Sequence, residues 1–207
     1  HLNLQGGFLR MWSVESDSAC TAPSVAAIGN GYLLTWLEGS ARPRLRSGVL
    51  DPSDPSDAVD GNLLVRSRAV QGTPYLIPGP DQVLCVFPMR IVQPTSKSET
   101  DYDIYALRFS MSGEPLDPEP ILICNSPGNQ GFVSGVWDNY QYLITWCNTD
   151  PGSEALLGGR IGKNGVVCDT TGFVIQDGYK GSVSLASDEY GHVLAAYGGN
   201  RVRMIDD

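Results

Sequence analysis

Histidine is almost missing from this 207-residue chain, which holds only His1 and His192. His1 is terminal. His192 opens an apolar run at a place filled elsewhere by Tyr32 and Tyr142, so it reads as a packed or rim side chain. Two such residues cannot build a histidine-rich metal centre. A Ser-His-Asp triad needs a serine and a carboxylate converging on one imidazole, and no G-x-S-x-G elbow occurs to present the serine. Basic residues are also few: 14 Lys and Arg stand against 23 Asp and Glu, a net charge of −9. Phosphate binding needs clustered cations, so no nucleic-acid partner is expected. The acidity reads as solubility. No apolar run nears the roughly 18 residues of a membrane span, so no membrane insertion is expected. C-x-x-C pairs, EF-hand spacing, phosphate loops and dinucleotide fingerprints are all missing, and no cofactor or metal is expected. The first residue is His1 and not Met, which suits a processed or excised chain.

Cysteine is present in an odd number: Cys20, Cys85, Cys124, Cys147 and Cys168. At least one must be free or paired between chains. Cys85 stands where other repeats carry Leu34, Ile144 and Leu194, so it reads as a small buried hydrophobe. A disulfide among Cys124, Cys147 and Cys168 would suit a secreted protein, with its connectivity open.

What the chain does contain is a fourfold repeat. Pro23–Arg46, Pro74–Arg108, Phe132–Arg160 and Val183–Arg203 share one plan. Each has an apolar stretch, a turn, and a run ending in an aromatic: Tyr32–Trp36, Val83–Phe87, Tyr142–Trp146 and His192–Tyr197. A polar loop follows, then a strand-like piece bearing Arg46, Arg108, Arg160 or Arg203. The closing aromatics lie 51, 59 and 51 residues apart. A period of about 50 residues with strand signals only predicts propeller blades. The second run of each repeat is apolar at nearly every position, as a strand covered on both faces should be. Full repeats read as four strands, in the third near 132–137, 142–147, 155–161 and 172–176. Lys163-Asn-Gly165 is a hairpin signal.

These features predict one all-β domain over 1–207, a four-bladed β-propeller of four-stranded antiparallel blades. The blades are expected near 21–72, 73–130, 131–181 and 182–207. The fourth repeat lacks a last strand, and residues 7–13 match the outer-strand segment 172–176. The ring is therefore expected to close by that N-terminal strand, which removes an open edge; a piece of a larger propeller is the alternative. The repeat resembles one found in many copies in secreted bacterial proteins. Asp103–Leu116 and Leu157–Gly165 carry the resemblance best, and the first and fourth repeats follow it loosely. It implies fold, a secreted location and a binding role.

Sites are expected in the loops, where packing ceases to dictate sequence. The longest, 88–102, carries Arg90, Lys97, Glu99, Asp101 and Tyr102. The same face should hold Arg68, Asn129, Gln130, Tyr179 and Lys180. From these come the candidate ligand-binding residues: Arg68, Arg90, Asp101, Tyr102, Asn129, Gln130, Tyr179 and Lys180. Amides, aromatics and a basic group in shallow loops suit glycan or peptide recognition. No catalytic residue is expected. Asp138, Asp188 and Glu189 lie in tight turns and read as turn formers. The repeated arginines read as blade-to-blade ion pairs or bonds to loop carbonyls, and Gly158-Gly159 as close approach between blades. The functional expectation is a non-enzymatic secreted recognition module, lectin-like or protein-binding. Its partner would be a glycan or a protein, and a homo-oligomer is compatible with it. The alternatives are a glycoside hydrolase-like enzyme using loop carboxylates, or a structural domain without a small ligand.

Overall fold

The computed structural model describes residues 11–54, 58–65, 70–90 and 101–205. It is all-β and built of consecutive antiparallel sheets. A short strand β1 (Ser13–Val14) comes first. The first blade follows with β2 (Cys20–Ile28), β3 (Gly31–Glu38) and β4 (Arg44–Leu50). Strand β5 (Ala58–Val59) pairs in parallel with β1, and β6 (Asn62–Leu63) completes the blade against β4. In the second blade β7 (Val70–Gln71) and β8 (Tyr75–Pro78) both pair with β9 (Gln82–Arg90), and β10 (Asp103–Ser110) and β11 (Ile121–Cys124) follow. The third blade is β12 (Gln130–Trp137), β13 (Tyr142–Asn148), β14 (Ala155–Ile161) and β15 (Phe173–Asp177). The fourth is β16 (Val183–Ser187), β17 (Val193–Tyr197) and β18 (Arg201–Ile205).

Packing follows the expected logic. Strand β9 is buried from Gln82 to Met89 and β13 from Tyr142 to Cys147, because neighbouring blades cover both faces. Each such aliphatic or aromatic side chain contributes about 1.5–3 kcal/mol on burial. Three cores result. Leu33, Leu45, Cys85 and Phe109 lie between blades one and two. Ile77, Ile104, Tyr142 and Trp146 lie between two and three. Cys147, Leu156, Val183 and Tyr197 lie between three and four. No core joins the fourth blade to the first among the described residues.

The fourth blade departs from the expected pattern. Strand β17 alternates buried and exposed instead of being buried throughout. Its outer face carries two rows across three strands, Ala186–Leu194–Met204 and Ser184–Ala196–Val202, all exposed. The closing strand expected at 7–13 falls mostly outside the described residues. Its described end, Ser13, pairs with Ala58 beside the first blade.

The repeated arginines lock hairpins. Arg108 donates through side chain and backbone to Asp117, and Arg160 does the same to Asp169, nine residues on in each case. These ion pairs lie within a blade, not between blades as expected. The link to a neighbouring blade is a bond to a carbonyl, from Arg108 to Lys163 O at 2.9 Å and from Arg203 to Ile175 O. The glycines are also corrected. A Cβ on Gly159 would sit 2.8 Å from the Trp146 indole, and one on Gly158 2.7 Å from the Phe173 ring. Both make room for a ring of their own blade. The five cysteines are free thiols, so the disulfide considered above is not formed. Burial pushes the Cys85 thiol up to about 12, as suits an inert packing residue.

Candidate active site

The first strand of each of the first three blades is broken near its beginning. In β2 the register shifts between Thr21 and Ser24, with Ala22 at φ 52°. In the second blade Gly72–Pro74 separates β7 from β8. In β12 the shift lies between Gly131 and Ser134, with Phe132 at φ 55°. Bulges of this kind bend the strand and re-aim side chains. Two of these breaks and the start of β16 enclose a pocket of about 550 Å³. It touches three blades and is therefore placed among their first strands, on the side where those strands begin.

The wall combines rings, amides and hydroxyls. Tyr75, Tyr102 and Phe132 supply the rings; Asn129 and Gln130 the amides; Ser134, Thr149 and Ser182 the hydroxyls. Backbone bonds stitch the parts together. Gln130 N donates to Tyr102 O at 3.0 Å, Thr149 N to Asn129 O at 2.8 Å, and Tyr102 N to Asn129 Oδ1 at 3.3 Å. Gln130 is 3% exposed, and its Nε2 donates to Ser126 O at 2.8 Å. Its Oε1, like Ser134 Oγ, finds no donor among the described residues. Among the described residues no charged side chain forms part of this wall. Carboxylates border it in the chain: Asp101 and Asp103 on either side of Tyr102, and Asp150 after Thr149. Asp150 approaches Gly128 so closely that a Cβ there would lie 2.8 Å from its Oδ2. Gly128 holds φ +105°, a conformation other residues rarely adopt.

The structure gathers part of the expected set. Tyr102, Asn129 and Gln130 line the pocket. Arg90 places its guanidinium carbon 5.9 Å from the Tyr102 ring centroid, and Asp101 adjoins that ring in sequence. Tyr179 belongs to a separate recess, where its ring packs tilted against Tyr197 with centroids 5.3 Å apart and its hydroxyl donates to Ser182 O at 2.8 Å. Lys180 is exposed and interacts with Glu154. Arg68 lies outside the described residues, as do Lys97 and Glu99. Sequence reasoning missed Tyr75, Phe132 and Ser134, because each sits in what reads as a plain strand. The one available signal was Gly72 and Gly131 at the same point of successive repeats.

The turn carboxylates serve structure, as expected. Asp138 Oδ1 accepts from the Tyr140 and Gln141 backbone at 2.8 and 2.7 Å. Asp188 Oδ1 accepts from Tyr190 and His192 N, and its Oδ2 meets the His192 ring at 2.8 Å. The bond from His192 holds the Asp188 carboxyl below its usual range.

No protein-family model matches the chain, and no curated protein matches it. Solved structures do. The endo-arabinase of Bacteroides thetaiotaomicron superposes with a TM-score of 0.51 at 15% identity, over 89% of this chain and 72% of that one. The fold is a β-propeller. The arabinanase of Bacillus subtilis covers 87% of this chain and 89% of its own at 11% identity, TM-score 0.31. The endo-arabinanase of Bacillus licheniformis covers 95% and 96% at 11% identity, TM-score 0.28. The propeller expected from the repeat is thus seen. The expectation of a non-enzymatic recognition module is corrected, because a propeller that superposes on this one is an endo-arabinase.

Proposed function

We propose that this propeller is a glycan-cleaving enzyme of the glycoside hydrolase type, with its substrate held in the pocket among the first strands. The observation that carries the reading is the composition of that pocket. Rings, amides and hydroxyls meet in a concave site of about 550 Å³, the mixture that recognises a sugar by its C–H faces and its hydroxyls. A fold shared with an endo-arabinase supports the same direction, and linear arabinan is the first substrate to try. A polymeric substrate also suits a secreted protein.

Glycoside hydrolysis uses two carboxyl groups, one donating a proton to the leaving oxygen and one acting as base or nucleophile. Asp138 and Asp188 are occupied in turns. The candidates for the pair are Asp101, Asp103 and Asp150, which adjoin Tyr102 and Thr149 in the chain. Asp103 is buried and Asp101 and Asp150 half-buried. The test is release of reducing ends from linear arabinan and a panel of other polysaccharides, by the wild type and by Asp101→Asn, Asp103→Asn and Asp150→Asn. Two of the three variants are expected to lose on the order of 10³-fold or more in kcat with the fold intact, as for removal of an acid or base. Activity that survives all three replacements would refute the assignment.

A further inference from the structure

Phe132 is an anomaly that packing does not explain. It is a bulky residue at φ 55°, in the left-handed region that side chains with a Cβ resist. Phe132 is 49% exposed, and it belongs to none of the three cores. The bend itself belongs to the blade plan, because Ala22 holds the same place in β2 at φ 52°. A methyl group is enough there. In β12 the same bend carries a phenyl ring, and that ring forms part of the pocket wall. Strained residues persist where function uses them.

Among the described residues the wall around it is uncharged. Arg90, whose guanidinium carbon lies 5.9 Å from the Tyr102 ring centroid, is not part of it. Gln130 Oε1 is buried in this wall without a donor among the described residues, which leaves an acceptor for a hydroxyl. A carboxylate pressed into such a site would meet no counter-charge among the described wall residues. A neutral sugar loses little there. Its polarised C–H bonds meet the negative face of an aromatic ring, and its hydroxyl answers a buried acceptor.

We infer that the pocket binds a neutral saccharide ring stacked on Phe132, and that oligosaccharides of uronic acids are excluded from it. The inference rests on the glycan reading above and deepens it to a substrate class and a specificity-determining residue. Calorimetric titration with neutral arabino-, xylo- and gluco-oligosaccharides, and with oligogalacturonides, tests it on wild type, Phe132→Gly and Phe132→Trp. The wild type should bind at least one neutral series and no oligogalacturonide. Phe132→Gly should weaken that binding tenfold or more while its Tm stays level or rises, since glycine relieves the backbone. Phe132→Trp should keep the affinity within about threefold, because the stacking face survives. A binding role and a packing role are separated by that opposite movement of affinity and Tm. Equal affinity in Phe132→Gly overturns the role of Phe132, and oligogalacturonide binding as tight as that of neutral sugars overturns the substrate class. If the wild type binds no sugar at all, the glycan reading beneath both is what falls.

Discussion

Trp146 is fully buried, and its indole lies where side chains on Gly159 and Gly172 would have to stand. Trp36 uses Gly48 and Gly61 in the same way. A large flat ring and a missing Cβ are thus two halves of one packing device, repeated because the blade is repeated. Removing the ring leaves a cavity, and adding a methyl group overfills the space. Trp146→Ala is expected to cost about 3–5 kcal/mol and Gly159→Ala about 1–3 kcal/mol, read from urea unfolding curves. Losses within about 0.5 kcal/mol, the range of ordinary surface changes, would mean that ring and glycine are not matched. Glycines inside a strand sequence look like weak points. Here their role depends on a tryptophan more than ten residues away, which explains why the sequence suggested contact between blades instead.

At the scale of the element, the arginine-to-aspartate hairpin lock has a calculable pH dependence. The hydrogen bond from Arg160 holds the Asp169 carboxyl below its ordinary 3.8. The folded protein therefore binds that proton more weakly than the unfolded chain does. The stabilisation is fully present above about pH 4 and is lost as the pH falls through the lower folded value. The Asp169 side chain is 20% exposed, and Asp169→Asn should cost about 1.5–3 kcal/mol at pH 7, as for a hydrogen bond to a charged group. The gap between variant and wild type should narrow below about pH 4. A gap of the same size at both ends would show that the charge is not what matters. Strand β13 was legible because burial on both faces writes a continuous apolar run, and β14 because Lys163-Asn-Gly165 marks the hairpin after it. The breaks in β2 and β12 were not legible. Ala22 and Phe132 adopt positive φ without being glycine or asparagine, so no local preference announces the bend. Gly131–Ser134 of the pocket wall lie at the bend in β12. Tyr102, Asn129 and Gln130 were found because they lie in loops, whereas Tyr75, Phe132 and Ser134 were hidden in strands.

For the whole molecule, the decisive contrast among the described residues is between the second and third blades, flanked on both sides, and the first and fourth, each flanked on one. The second and third are enclosed, while Leu194, Val202 and Met204 of the fourth are 42%, 67% and 51% exposed. Stacked repeats behave as a nearly one-dimensional array, each unit stabilised by its own contacts and by its nearest neighbours. A unit with one neighbour has lost an interface term. The three-stranded fourth blade is therefore expected to open early: β16–β18 should open in a sub-global step well before β9 and β13, which require global unfolding. Native-state hydrogen exchange should show amides of Val193–Tyr197 exchanging at a lower free energy than those of Val83–Phe87. Uniform protection across all four blades would contradict it. Ser182 and Val183 of the fourth blade form part of the pocket wall. A sugar bridging them to Phe132 would tie the fourth blade more firmly to the third, so ligand and fold become coupled: binding should slow exchange in β16–β18 far more than in the two enclosed blades.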